Sequence, residues 1–212
     1  MEECAAYDLA SFLDLHQITV CAIEGPREAV QAFIDSWTAR PGRHGAHQMD
    51  QGLYELVTVK LPETDGGRLV RATQAQRDAL YHLAAGFCGS FPSQSLTTEQ
   101  LTRRVDRFLV EEHAYLWQTR DQVFVSMAAV VRESPNTSSI SWVYTPPAYR
   151  RRGYAARIVA SLSSAQLSAG KWACNLHTDL ANPTSNRVYQ RIGYQLIAER
   201  LKVALIDDLC DE

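Results

Sequence analysis

The residues with the most capacity for chemistry gather between Val143 and Tyr194. A basic run, Arg150, Arg151 and Arg152, leads directly into Gly153, Tyr154 and Ala155. A helix start there presents free N–H groups and the positive end of the helix dipole. A small residue lets the backbone approach a phosphate, and neighbouring arginines add charge. That is the construction of a pyrophosphate site, although an ordinary strand–loop–helix turn with solvated arginines fits the segment equally well. Further on, Asn182, Asn186 and Tyr189 recur at i, i+4 and i+7, which places them on one helix face, while Val188 and Ile192 turn to the core. A phenol on such a face is either a general acid or a packed ring whose hydroxyl meets a backbone carbonyl.

The elements that must position these groups are legible as patterns. Residues 139–145 read as a strand stopped by Pro146 and Pro147, which cannot donate ladder hydrogen bonds. Residues 153–169 read as a helix with Ala155, Ile158, Leu162, Ala165 and Ala169 in one stripe and Gly170 at its end. Residues 172–177 form a strand that a helical crossover makes parallel to 139–145. Residues 183–192 form a short helix, capped by Asn182, started by Pro183 and ended at Gly193. Upstream, 69–72 predicts a short strand. Thr73 with Gln76, and Thr97 with Gln100, mark capping boxes that open two helices. Strands at 114–119 and 123–131 turn at Asp121 and Gln122, and strands at 194–198 and 201–206 close the sheet. Before the Gly/Pro-rich loop at 62–67, a strand at 18–23, a helix opened by Pro26 and a strand at 53–61 make a small unit. The expected class is α+β: a mixed, mostly antiparallel central sheet with helices on both faces, in a domain at 67–212 preceded by a small strand–helix–strand extension at 1–66.

Two motifs carry a family resemblance. Arg150-Arg151-Arg152-Gly153-Tyr154-Ala155 resembles the R/Q-x-x-G-x-G/A motif of the GCN5-related N-acetyltransferases. The run N-P-T-S-N-R-V-Y-Q-R-I-G-Y, from Asn182 to Tyr194, resembles that family's N-(x6)-Y-(x3)-G-F/Y ending. The resemblance covers about residues 67–206, and the first 66 residues look like the N-terminal extension of one bacterial branch, where a vestigial half precedes the complete domain. It implies acetyl-CoA as acyl donor and a primary amine as acceptor, with no metal. Backbone groups of Val143, Tyr144 and Thr145 would bind the pantetheine arm along a splayed strand edge. The N–H groups of Arg151, Arg152, Gly153, Tyr154 and Ala155 would cradle the pyrophosphate, and Arg150 would contact phosphate. Asn182 would hydrogen-bond the pantetheine amide or a phosphate-side group, with Asn186 beside it in the coenzyme-binding set. Tyr189 would be the general acid for the leaving thiolate.

An alkylamine, with a pKa of about 10.4, must lose a proton before it attacks. The family often uses a glutamate on the central strand, but 139–145 holds no carboxylate. Glu111, Glu112, His113, His177 and Asp179 are the remaining candidates, and no base is assigned. Tyr115, Trp117 and Phe124 are candidates to line the acceptor site, with plain core as the alternative. Arg103, Arg104 and Arg107 are either an attractor for an acidic acceptor or a solvated helix face.

A net charge of −3 over 212 residues favours neither nucleic acid nor an anionic membrane as partner. The acidic start, with Glu2, Glu3, Asp8 and Asp14, is unlike a signal peptide, and no apolar stretch is long enough for a bilayer. The expected location is therefore the cytoplasm, as monomer or homodimer. Five widely spaced cysteines with no CxxC pair are expected to be free thiols. Two rival readings remain: an acyl-CoA-binding sensor without catalysis, and a nucleotide enzyme, which lacks the expected G-x-G-x-x-G or G-K-S/T.

Overall fold

The structure, a computed structural model, describes residues 3–90 and 96–208. In chain order its elements are α1 (Glu3–Leu15), β1 (Ala22–Pro26), α2 (Arg27–Thr38), β2 (Arg43–Leu56), β3 (Arg68–Arg71), α3 (Arg77–Gly89), α4 (Thr98–Val110) and β4 (Ala114–Gln118). There follow β5 (Phe124–Glu133), β6 (Thr137–Tyr144), α5 (Tyr154–Ser168), β7 (Ala173–Asp179), α6 (Pro183–Ile192) and β8 (Gln195–Asp207). Contacts group the chain into two compact units: Met1–Tyr54 with His177–Asn186 and Leu196–Glu212, and Glu55–Leu176 with Arg187–Gln195.

In the smaller unit α1 and α2 share a core of Ala6, Ala10, Ala32, Phe33, Trp37 and Leu205. Ala6, Ala10 and Leu13 lie at helical spacing, which draws α1 onto α2 although the sequence reading assigned no helix there. β1 pairs antiparallel with β8, Ala22 opposite Ala204 and Pro26 opposite Arg200. The strand expected at 18–23 thus starts at Ala22 and runs into Pro26, so α2 begins at Arg27. The two closing strands expected at 194–198 and 201–206 are one strand, β8. Glu199 and Arg200, which fall between those two ranges, belong to the strand: Glu199 meets Arg27, and Arg200 lies 3.4 Å from Glu24.

In the larger unit the strand order is β7-β6-β5-β4-β3. β3 to β6 are antiparallel, and β6 and β7 are parallel, as the crossover through α5 requires. The mixed, mostly antiparallel sheet is the one expected. One face packs on α3 and α4 through Leu80, Leu83, Ala84, Leu101, Val105, Phe108, Leu116 and Met127. The other face packs on α5, which buries Ile158, Val159 and Leu162. Both capping boxes form. That of Thr97 opens α4, whereas that of Thr73 first makes a 3₁₀ turn over Gln74–Gln76, so α3 begins at Arg77.

Cys21, Cys88 and Cys174 are free thiols; Cys210 lies outside the described residues and the side chain of Cys4 is not described.

Candidate functional site

β6 is built to leave its neighbour. It pairs with β7 only at Thr137↔Ala173, Ser138↔Cys174 and Ser139↔Asn175. Against β5, its register shifts between Ala129↔Ser141 and Met127↔Tyr144. That bulge carries Trp142 at φ +54, a left-handed conformation that costs a non-glycine residue about 1–2 kcal/mol. Packing holds it: the Trp142 ring stacks on Phe87 at 4.8 Å and meets Phe108 edge-on at 5.4 Å. Tyr144 lies on the same face, against α3 at Gly86, where an added Cβ would come within 2.5 Å of the phenol ring.

Beyond the bulge, the buried Ser126 of β5 places its Oγ 2.9 Å from Tyr144 O and 2.9 Å from Thr145 Oγ1. Tyr144 O therefore faces β5, and strand alternation turns the backbone groups of Val143 to the side that β7 has left. Arg150 donates its Nε to Thr145 O at 3.0 Å, which ties the strand end to the basic turn.

That turn is a nest of amides. Arg151 has φ +61 and Gly153 φ +80. Among the described residues, no backbone N–H from Arg151 through Ala156 donates to a protein acceptor; the bonds resume with Arg157 N on Gly153 O at 3.0 Å. Gly153 stands in the N-cap position of α5 with no side-chain cap. The row of unpaired donors, with a helix dipole behind it and the exposed Arg151 and Arg152 beside it, is an anion cradle. Tyr154 and Ala155, both half-buried, form the first turn of α5.

Arg157 was not singled out from sequence, yet it sets the shape of the cradle. Its Nη1 donates to Arg152 O at 2.6 Å, its Nε donates to Glu63 O at 2.8 Å, and Asp65 lies 3.6 Å away. A Cβ on Gly153 would meet Arg157 Nη1 at 2.9 Å. The sequence signal was an arginine between Ala156 and Ile158 in an otherwise apolar helix start.

α6 runs from one unit into the other. In the smaller unit, Asn182 Oδ1 accepts from Ser185 N at 3.1 Å, the expected cap. Asn186 donates Nδ2 to Asp179 O and Leu180 O, both at 3.2 Å, while its buried Oδ1 has no partner among the described residues. In the larger unit, Tyr189 is buried rather than turned to solvent. Its ring meets Tyr194 edge-on at 6.0 Å, and the Tyr194 hydroxyl is 2.9 Å from Ser163 Oγ of α5. The Tyr189 hydroxyl has no hydrogen-bond partner among the described residues, so the alternative of a hydroxyl spent on a backbone carbonyl does not hold. Burial pushes its pKa up to about 12.

The candidate bases separate by position. His113 lies 3.4 Å from Glu111 and 3.5 Å from Glu133, and Arg71 holds Glu112. Glu133 pairs with Ser138 near the start of β6, whereas Ala114, beside His113, pairs with Ala129, which faces Ser141 next to the bulge. His177 and Asp179 lie at the C-terminal end of β7, in the smaller unit. Tyr115 and Trp117 do not line the α3–α4 face. Ala114 and Leu116 occupy it, which turns the two aromatic rings to the other side; Phe124 does pack against that cluster. No group of three or more His, Cys, Asp and Glu able to hold a metal occurs among the described residues, and none of their helices is long and apolar enough to cross a membrane.

A mixed α+β sheet with one strand bulged away from its parallel neighbour, beside an amide nest, is the architecture that frames the candidate site. Residues 119–203 match the family described as FR47-like protein. No curated protein matches the chain. Among solved structures it is similar to an acetyltransferase from the GNAT family from Colwellia psychrerythraea, at 12% identity and TM-score 0.69, over 97% of this chain and 74% of that one. A GCN5-related N-acetyltransferase from Kribbella flavida aligns at 19% identity and TM-score 0.59, over 86% and 67%. AAC(6')-Iy, in complex with the bisubstrate analogue CoA-S-monomethyl-acetylneamine, aligns at 15% identity and TM-score 0.51, over 61% of this chain and 90% of that one. The chain thus shares the fold of GCN5-related N-acetyltransferases, and residues 119–203 match the FR47-like family.

Proposed function

We propose that this chain transfers the acetyl group of acetyl-CoA to a primary amine. The observation that carries the reading is the run of unpaired amides from Arg151 to Ala156, curled by two left-handed residues at the start of α5. Such a nest suits a pyrophosphate, and the parted edge of β6 beside it suits an extended chain bearing amides. Arg151, Arg152, Gly153, Tyr154 and Ala155 then hold the pyrophosphate. Val143, Tyr144 and Thr145 guide the pantetheine arm, with Val143 offering the backbone groups on the parted side. Arg150 acts as the brace that fixes Thr145. Asn182 and Asn186 belong to the coenzyme set, and the spare Oδ1 of Asn186 is an acceptor fit for an amide N–H.

The amine, once neutral, attacks the thioester carbon through its lone pair. The C–N bond forms, the C–S bond breaks, and the sulfur leaves with the electron pair. The amine's extra proton passes to water. Tyr189 offers its phenolic O–H as a hydrogen bond to the departing sulfur. A phenol near 12 stays protonated at every working pH. Because an ordinary thiol has a pKa of about 8.5, Tyr189 serves mainly as a hydrogen-bond donor to the thiolate, with full transfer completed by solvent.

Thermal stabilisation by acetyl-CoA and CoA, against ATP and NAD as controls, tests the cofactor. A ligand at about a hundred times its Kd adds roughly 2.7 kcal/mol. A shift with ATP or NAD and none with CoA overturns the reading. Release of free thiol in the presence of amines separates an enzyme from an acyl-CoA sensor.

A further inference from the structure

We propose that the acceptor is an amine that also carries a carboxylate, recognised by Arg104 and Arg107 of α4. This inference rests on the acetyl-transfer reading above and names the substrate class of that site.

Gln100, Arg104 and Arg107 lie at i, i+4 and i+7 on α4 and, with Leu96 and Arg103, line a cleft of about 220 Å³. The arginines nearby are neutralised: Arg77 by Asp106 at 2.7 Å, and Arg103 by Glu99. Arg104 and Arg107 have no carboxylate within ion-pair reach among the described residues. Two uncompensated cations in one cleft run against the net charge of −3.

Arg104 is more than a solvated surface group. It is half-buried, and its guanidinium sits 5.9 Å from the Phe108 ring and 6.0 Å from that of Trp142. Trp142 is the left-handed residue at the bulge of β6. Arg104 therefore links the cationic cleft, through one aromatic contact, to the residue at the bulge of β6. A guanidinium packed on aromatic rings keeps its N–H rim available. That planar rim matches a carboxylate in bidentate fashion, and an aromatic backing limits its rotation. Gln100 adds a neutral donor and acceptor on the same face, and Leu96 supplies the apolar wall. Free amino acids and short peptides with a carboxylate near the amine have this chemistry.

The test uses the whole chain, saturating acetyl-CoA and thiol release. Amino acids and short peptides are each compared with their carboxamide counterparts, which keep the amine and remove the negative charge. The carboxylate member is expected to show kcat/KM at least tenfold higher. Arg104→Gln and Arg107→Gln are expected to lower that preference tenfold or more through KM, while stabilisation by CoA is unchanged. Arg107→Lys, which keeps the charge, is expected to recover part of it. Arg107 is exposed, so its variants are the least able to disturb folding, and melting curves check this. Equal use of both members, turnover of neither while CoA still binds, a preference indifferent to both Arg→Gln changes, or a loss of CoA affinity in those variants would each overturn the proposal. Absence of any CoA-induced shift in the unaltered chain is a different result: it removes the acetyl-transfer reading itself.

Discussion

At the residue scale, Tyr189 and Gly153 separate chemistry from packing. Tyr189→Phe keeps the buried ring against Tyr194 and removes a hydroxyl that makes no hydrogen bond among the described residues. Stability is expected to change by less than about 0.5 kcal/mol, and acetyl-CoA affinity to hold, while turnover falls by about 10²-fold or more. Steady-state kinetics beside a melting curve makes that comparison, and an unchanged kcat removes the acid role. Gly153→Ala works differently. A Cβ at φ +80 costs about 1–2 kcal/mol in backbone strain and also meets Arg157 Nη1. The expected outcome is weaker CoA binding by calorimetric titration, with a lowered melting temperature. The two motif residues were legible because their types are unusual where they stand. Trp142, Ser126 and Arg157 were not, because a tryptophan or serine in a strand, or an arginine in a helix, carries no mark of the backbone atom it supports.

At the element scale, the strand–turn–helix from β6 to α5 is the feature with the clearest physical signature. Amides that lack protein acceptors exchange with solvent quickly unless a ligand covers them. Hydrogen–deuterium exchange is expected to show the amides from Arg151 to Ala156 nearly unprotected in the free chain and slowed on addition of CoA, while the interior of α5 stays protected in both states. Arg157→Ala is expected to weaken that ligand-induced protection, since it frees Arg152 O and Glu63 O together. Failure of CoA to slow these amides would mean that the nest binds something else. The sequence located β4, β5, β6, α5, β7 and α6 closely, because capping boxes, prolines and helical stripes mark local backbone choices. It missed α1, and it split β8. The apolar positions of α1 are mostly alanines, whose burial depends on α2, and the charges within β8 find their partners more than a hundred residues away. Such long-range pairings leave no local trace. The bulge of β6 was invisible for the same reason: nothing in Ser141-Trp142-Val143 announces a left-handed residue, which Phe87 and Phe108 hold in place.

At the scale of the whole molecule, buried tyrosines set how stability responds to base. Desolvation raises Tyr189 to about 12, and burial raises Tyr194 as well, with the Ser163 hydrogen bond opposing the rise. An unfolded tyrosine titrates near about 10. Below that pH both states hold the proton and the stabilisation is complete. Between about 10 and 12 the unfolded chain releases protons that the folded chain retains, so stability falls as pH rises. Two units correspond to roughly 2.7 kcal/mol from Tyr189 alone, an order-of-magnitude figure. The acid limb has no counterpart of that size. The lowered carboxylates Asp50, Asp106 and Glu133 sit in exposed pairs with Arg27, Arg77 and Lys171, where solvent screens the gain. Burial also pushes the Cys174 thiol up to about 11, so urea unfolding from pH 7 to 11.5 is expected to give a flat region up to about pH 8, a first decline as the unfolded thiol ionises, and a steeper one above about pH 10. Tyr189→Phe should flatten part of that decline without changing the plateau. A decline of equal slope in both proteins would mean that Tyr189 titrates alike in the folded and unfolded chains, and that its ring is not shielded from solvent as the structure places it.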